Sequence, residues 1–461
     1  MRIAPVAALV CFAAWCFLLK SDFAWDDADP EILNQAWRLA QGQNIYRGID
    51  SPPFAFAAYP PVYFAAAALL MKFTGLSFLP ARLLSFAATL FIGWALIRLS
   101  RRYNKSAWYG VWGTFFLFLV PAFLYNSARC HVQMMAVAFS IWSLVFFLRN
   151  RWQESLVISP LLAALAFYTK QTQIALPIAI ALFLLLRNRR WFIPYCSVMA
   201  VSCLIPLLWL QKISDGYFFF DAVELAKLAY NPLLIPQVFM HHAGPILVFL
   251  CIALVSTWRR FRSGEWGVLD CYLGCLFVIT TGSLGRAGAH GQYVLELVVA
   301  TVLYLVVTLR LPELHGRTAL VSIQILMLLV YTPLFVGLEE GLYNRAANRA
   351  AEKIYPLIKG TPGPILSQQG SFALFGRGEI YIQLFHFTAL SRAGVWDQRH
   401  LLNDIERRKF PRVITEFAIE EQLSSADDEE RFTPEMLRAL QRNYQRMAAI
   451  YPYYLYRPAD R

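Results

Sequence analysis

"SDFAWDDADPEILNQAWRLAQGQNIYRG" (Ser21–Gly48) puts Asp26, Asp27 and Asp29 within four residues of one another, between two apolar regions. Three like charges this close repel, and beside lipid they are costly to desolvate. A chain that is 58% hydrophobic keeps such a cluster where something offsets that cost. Downstream of the acidic turn, Ile32, Leu33, Ala36, Leu39 and Ala40 share one helical face, with Glu31, Gln35, Arg38 and Gln41 mostly elsewhere. Pro30–Gln41 therefore reads as a helix lying in the membrane interface.

On either side the chain is built for lipid. It has 461 residues, of which 16% are charged, and a mean hydropathy of +0.45. Soluble domains carry about a quarter charged residues. Eleven apolar spans are expected, at 3–20, 80–98, 107–125, 131–148, 155–169, 172–187, 191–211, 243–258, 267–283, 292–309 and 317–337. The first lacks a small-residue cleavage site and reads as an anchor. Residues 60–73 ("PPVYFAAAALLMKF") are apolar, but a twelve-residue helix is about 18 Å long against a hydrocarbon core of about 30 Å. They read as a second interfacial helix.

The net charge of +12 does not point to nucleic acid. Residues 1–337 hold 25 Lys+Arg against 14 Asp+Glu, and residues 338–461 hold 17 against 16. The excess sits among the spans, in "RLSRRYNK" (98–105), "RNR" (149–151), "RNRR" (187–190), "RRFR" (259–262), Arg310, Arg317 and Arg2. By the positive-inside rule these loops are cytoplasmic. The amino terminus is then inside, and the loops at 21–79 and 214–242 face outward with the tail. The domains are expected to be a membrane domain over 1–337 and a small soluble α+β domain over 338–461. In the tail, "GPILSQQGSFALFGRGEIYIQLF" reads as short strands, and "DDEERFTPEMLRALQRNYQRMAAI" as a helix capped by Thr433.

All eight cysteines precede position 276, nearly all within apolar runs, and read as buried thiols. Cys271 and Cys275 are spaced i, i+4 without accompanying ligands, which disfavours zinc.

Outward-facing cations are few. Arg129 ("YNSARCHVQ"), Lys170 ("FYTKQTQ") and Arg286 ("GSLGRAGAHGQY") each occupy a short outer turn between consecutive spans. Together they suit a cavity holding a lipid phosphate, where charge-assisted bonds are strong. The bland alternative is that each snorkels from a helix end. His290, Gln292 and Glu296 follow Arg286, and Gln292 and Glu296 lie one helical turn apart; a bond to a neighbouring helix is the competing reading for Glu296. His241–His242 reads as a surface pair. A carboxylate beside such cations suits a general base that deprotonates an acceptor hydroxyl while a phosphate departs. Asp27 and Asp29 could alternatively hold Mg²⁺ or Mn²⁺. Asp29 before Pro30 also suits a helix N-cap.

The stretch "WDDADPEILNQAWRLAQGQNIYRG…PPFAFAAYPPVYF", with "ARCHVQMMAVAFS", "AFYTKQTQIALP" and "GSLGRAGAHGQYVLEL", resembles the GT-C fold membrane glycosyltransferases. The resemblance is to the family 39-like group, related to protein O-mannosyltransferases and lipid A aminoarabinose transferases, and covers most of residues 1–337. It implies sugar transfer from a polyprenyl-phosphate-linked donor to an acceptor at the outer face of a bacterial inner membrane. The catalytic carboxylate then falls among Asp26, Asp27 and Asp29, and Lys170 matches a phosphate-contacting lysine. Relatives often carry Lys before the Pro pair, where this chain has Tyr59. That shifts phosphate binding toward Arg129, Lys170 and Arg286. A flippase of lipid-linked saccharides needs the cations but not the acidic cluster, and the intact acidic residues count modestly against a non-catalytic assembly subunit.

Overall fold

The computed structural model describes residues 24, 26, 28–104, 106–225, 229–308, 318–332, 341–421 and 431–460. The first expected span and Asp27 lie outside these residues.

Helix α1 (Ala28–Ala40) and helix α2 (Val62–Thr74) belong to the first large loop. The bundle follows: α3 (Leu79–Asn104), α4 (Trp108–Phe118), α5 (Pro121–Asn126), α6 (Gln133–Phe147), α7 (Ser159–Thr169, after a π turn at Glu154–Ile158), α8 (Ala175–Arg187) and α9 (Arg189–Ile213). After the second large loop come α10 (Ile235–Ala243), α11 (Leu247–Ser263), α12 (Val268–Ser283), α13 (Gly291–Thr308) and α14 (Thr318–Thr332). These helices overlap ten of the eleven expected spans, that over 107–125 being divided between α4 and α5, and α2 forms within the apolar stretch at 60–73.

Among the described residues, four stretches are long and apolar enough to cross a membrane: α3, α9, residues 232–263 and α13. At about 1.5 Å per residue, the 26 residues of α3 exceed the hydrocarbon thickness. Its neighbour α4 crosses it closely. A Cβ on Gly110 would sit 2.3 Å from the Ile97 Cα, so only glycine fits there. By contrast α9 buries only Tyr195 and Leu210. Its Ile205, Leu208 and Trp209 are exposed, as side chains facing lipid should be. The bundle core runs through Leu96, Ile141, Leu176, Leu276 and Val298. Among the described cysteines all are free thiols, and Cys251 is exposed.

Beyond α15 (Gly341–Lys359) the chain forms a sheet domain: β1 (Ile365–Ser367), α16 (Gly370–Arg377), α17 (Leu384–Arg392), α18 (Arg399–Glu406), β2 (Arg412–Thr415), α19 (Pro434–Asn443), β3 (Tyr444–Ile450) and β4 (Tyr453–Pro458). The strand order is β1-β2-β4-β3. The first pair is parallel, with Leu366 opposite Val413. The other two are antiparallel, with Ile414 opposite Leu455 and Gln445 opposite Arg457. Two local expectations are corrected. In "GPILSQQGSFALFGRGEIYIQLF" the only strand is Ile365–Ser367. The Gln369 side chain caps α16, and Gly378 at φ 81 ends it in the left-handed region. Thr433 does cap α19, but the helix stops at Asn443 and Tyr444–Ile450 pairs with β4 instead of continuing it.

The sheet domain shares its core with the first loop. Phe54 and Phe56 pack among Phe387, Trp396, Val413 and Tyr456. The Phe54 N–H donates to the Tyr381 carbonyl at 2.7 Å, and the Gln383 N–H donates back to the Phe54 carbonyl at 3.0 Å. Arg38 of α1 pairs with Glu379 at 2.5 Å. These contacts seat the domain on the end of the bundle that carries both large loops.

Candidate active site

Asp26 lies two residues before α1, and Asp29 lies in its first turn. The expectation that Asp29 caps the helix is corrected: its carboxylate turns toward Arg129. Asp29 Oδ1 accepts from Arg129 Nε at 3.0 Å and Nη2 at 2.9 Å. Asp26 Oδ1 takes the Ala28 N–H at 2.9 Å, and its Oδ2 lies 3.0 Å from Arg129 Nη2. One guanidinium thus bridges two carboxylates, with the Tyr125 ring 4.8 Å from its Cζ. The two acids differ in access: the Asp29 side chain is 0% exposed and the Asp26 side chain 35%.

Their electrostatics diverge accordingly. Burial pushes Asp29 up to about 6, which its share of Arg129 only partly opposes. Burial also works against the Asp26 anion, but Arg129 and the Ala28 N–H outweigh it and hold Asp26 below the usual carboxylate range. Arg82 is buried in the first turn of α3 against the Phe78 ring at 4.8 Å and acts on Asp29 from behind.

Lys170 sits at the C-terminus of α7, buried. Its ammonium donates to Gln133 Oε1 and lies 4.9 Å from the Tyr293 ring centre and 6.0 Å from that of Tyr59. Burial, with Arg286 nearby, lowers it to about 7, and Glu296 pulls the other way. The next residue, Gln171, ties the two large loops together by donating to the carbonyls of Ala58 (2.9 Å) and Ala222 (2.8 Å).

Arg286 lies in the turn between α12 and α13. The second large loop braces that turn: Asn231 N–H donates to the Gly285 carbonyl at 2.7 Å and Ala287 N–H to the Ala229 carbonyl at 2.8 Å. Arg286 and Arg129 both act on the Tyr59 hydroxyl. His290 is exposed near Asp26. Gln292 is half-buried in the first turn of α13. Glu296 accepts from the Tyr272 hydroxyl at 2.7 Å, and the Gln173 amide nitrogen, in the orientation that satisfies its neighbours, donates to it at 2.8 Å. Glu296 therefore bonds within the bundle and reaches Lys170 by its field alone. His241 and His242 meet edge to face at 4.6 Å, with His290 6.1 Å from His242. Among the described residues no group of three His, Cys, Asp or Glu side chains is placed to hold a metal. Asp29, one of the two expected ligands, is committed to Arg129.

Two residues of the site were not singled out in the sequence, although both lie in the quoted "ARCHVQ". Gln133 holds Lys170. His131 packs its ring 5.8 Å from Tyr59. A lone His and Gln between apolar spans carry no periodic signal, and only their adjacency to Arg129 marks them.

A known architecture has this arrangement of bundle, first-loop helices and appended sheet domain. The structure matches ArnT from Cupriavidus metallidurans bound to undecaprenyl phosphate with a TM-score of 0.65, at 14% identity, over 98% of this chain and 97% of that one. The chain has the GT-C fold. The apo state of the same ArnT gives 0.63 at 13% identity, over 98% of this chain and 97% of that one. The Archaeoglobus fulgidus oligosaccharyltransferase in complex with Zn and sulfate gives 0.55 at 13% identity, over 96% of this chain and 71% of that one. In sequence, residues 58–210 match the family described as dolichyl-phosphate-mannose-protein mannosyltransferase. None of the curated proteins matches the chain. In this GT-C chain the family match runs from within the first loop, just before α2, to α9, and so includes Tyr59, Arg129 and Lys170.

Proposed function

We propose that the chain is a glycosyltransferase that moves a sugar from a polyprenyl-phosphate-linked donor to an acceptor hydroxyl, at the outer face of a bacterial inner membrane. The observation that carries this reading is the gathering of Asp26, Arg129, Lys170 and Arg286 around Tyr59 from four separate parts of the chain. The relative crystallised with undecaprenyl phosphate supports the donor class. The basic loops at the opposite end of the bundle support the orientation.

The acceptor oxygen attacks the anomeric carbon as the bond from that carbon to the phosphate oxygen breaks. The bonding pair leaves with the phosphate, and the acceptor proton passes to a carboxylate. Asp26 is ionised and open enough to receive it. Asp29 is sealed and serves to hold Arg129. Lys170 and Arg286 take up the charge that grows on the departing phosphate, which is the largest demand on the site.

Transfer from a polyprenyl-phosphate sugar in proteoliposomes tests the reading, with Asp26, Asp27 and Asp29 each changed to Asn. Loss of at least about a hundredfold in kcat for Asp26→Asn is expected. Full activity in all three variants would end the transferase assignment and leave lipid-saccharide flipping or assembly as the role of the fold.

A further inference from the structure

His131 is 1% exposed. Its Nδ1 accepts the backbone N–H of Gln133 at 3.3 Å, so Nδ1 carries no proton. In a neutral ring the proton is then on Nε2. That N–H has no acceptor among the described residues. A buried donor left unpaired costs about 1–3 kcal/mol. Its surroundings are cationic: Arg129 and Lys170 both act on the ring, with Asp26 opposing them. With Nδ1 accepting, the ring is an uncharged imidazole and adds no charge. Gln133 serves both groups, since its N–H sets the tautomer of His131 and its side-chain carbonyl holds Lys170. The Tyr59 ring lies against both. A neutral donor without an acceptor, set between two cations, matches the edge of an anion better than any other ligand.

We propose that the His131 Nε2–H is a binding residue of the lipid donor site and donates a hydrogen bond to an oxygen of its phosphate, beside Lys170. The inference rests on the transferase reading for its choice of donor, but it is tested by binding and needs no turnover. The probes are farnesyl phosphate, farnesol and inorganic phosphate, added to the full chain in detergent and followed by intrinsic tryptophan fluorescence. His131→Leu should weaken farnesyl phosphate binding by about tenfold or more and leave farnesol unchanged. His131→Gln carries an N–H₂ near the Nε2 position and should bind within about threefold of the native chain, whereas His131→Asn places its amide near Nδ1 and should bind like His131→Leu.

Inorganic phosphate separates the two sources of the ligand. A lipid headgroup site holds farnesyl phosphate against an excess of it, and a free-phosphate site takes both alike; either result, with the His131 dependence, keeps the assignment. Equal affinity of the native chain and His131→Leu for the phosphate probes overturns it. If the Leu variant does not fold, equal binding by the Gln and Asn variants overturns it instead. A chain that shows the His131 dependence yet transfers no sugar would keep this inference and sink the transferase reading.

Discussion

Asp29 gives a single oxygen, Oδ1, to both Nε and Nη2 of Arg129, and both side chains are buried. The sharing of one guanidinium between this sealed carboxylate and the open Asp26 decides how the acidic cluster divides its work. Removing Arg129 leaves a buried, unpaired Asp29, a loss of about 3–5 kcal/mol. Arg129→Gln should therefore lower the thermal unfolding midpoint in detergent. Arg129→Lys should not restore it, because an ammonium cannot present two donors in a fixed fork.

Lys170 gives the site a pH limb. With its ammonium lowered to about 7 by burial and Arg286, the free protein loses this charge as pH rises through 7, and an anionic donor then binds more weakly. The kcat/KM for the polyprenyl-phosphate donor should fall above about pH 7. Lys170→Arg, which stays charged, should flatten that limb in a profile from pH 6 to 9.

Asp221 of the second loop is fully buried. Its Oδ2 takes the Arg47 N–H at 2.9 Å, and burial raises it to about 8 from an ordinary 3.8. Between those values the folded chain holds a proton that the unfolded chain has released. Stability from this group therefore falls as pH rises through the window, by at most about 1.4 kcal/mol per unit. Asp221→Asn mimics the protonated form and can still accept from Arg47. Its unfolding midpoint should exceed the native one by a margin that grows from pH 5 to 8 and then levels off.

Phe54 joins the first loop to the sheet domain, buried against Trp396 at 5.1 Å and Tyr381 at 5.8 Å. Phe54→Ala should cost about 3–5 kcal/mol. If the docked domain helps to hold α1 and its aspartates, sugar transfer should fall together with the unfolding midpoint. A full loss of midpoint with unchanged transfer would show that the domain is dispensable for the chemistry.

The membrane helices, the two helices of the first loop and the three cationic turns are legible in the amino-acid sequence, because a span must be a continuous apolar run and a polar residue breaking it stands out. The β-formers of residues 363–385 misled, since a Gln cap and a left-handed Gly favour a helix there over a strand. The roles of individual polar residues are not local properties. Asp26 and Asp29 are near-identical in sequence, and only the packing of α1 against the Arg129 turn seals one and leaves the other open. Likewise the donor of His131 is left unpaired only when Gln133 claims its other nitrogen and the fold buries the ring. Hydropathy places segments in the bilayer. The dielectric and the partner that each charge meets come from other elements, 37 positions away for Lys170 and Gln133 and 100 for Asp29 and Arg129, so the tertiary structure alone decided which groups are able to do chemistry.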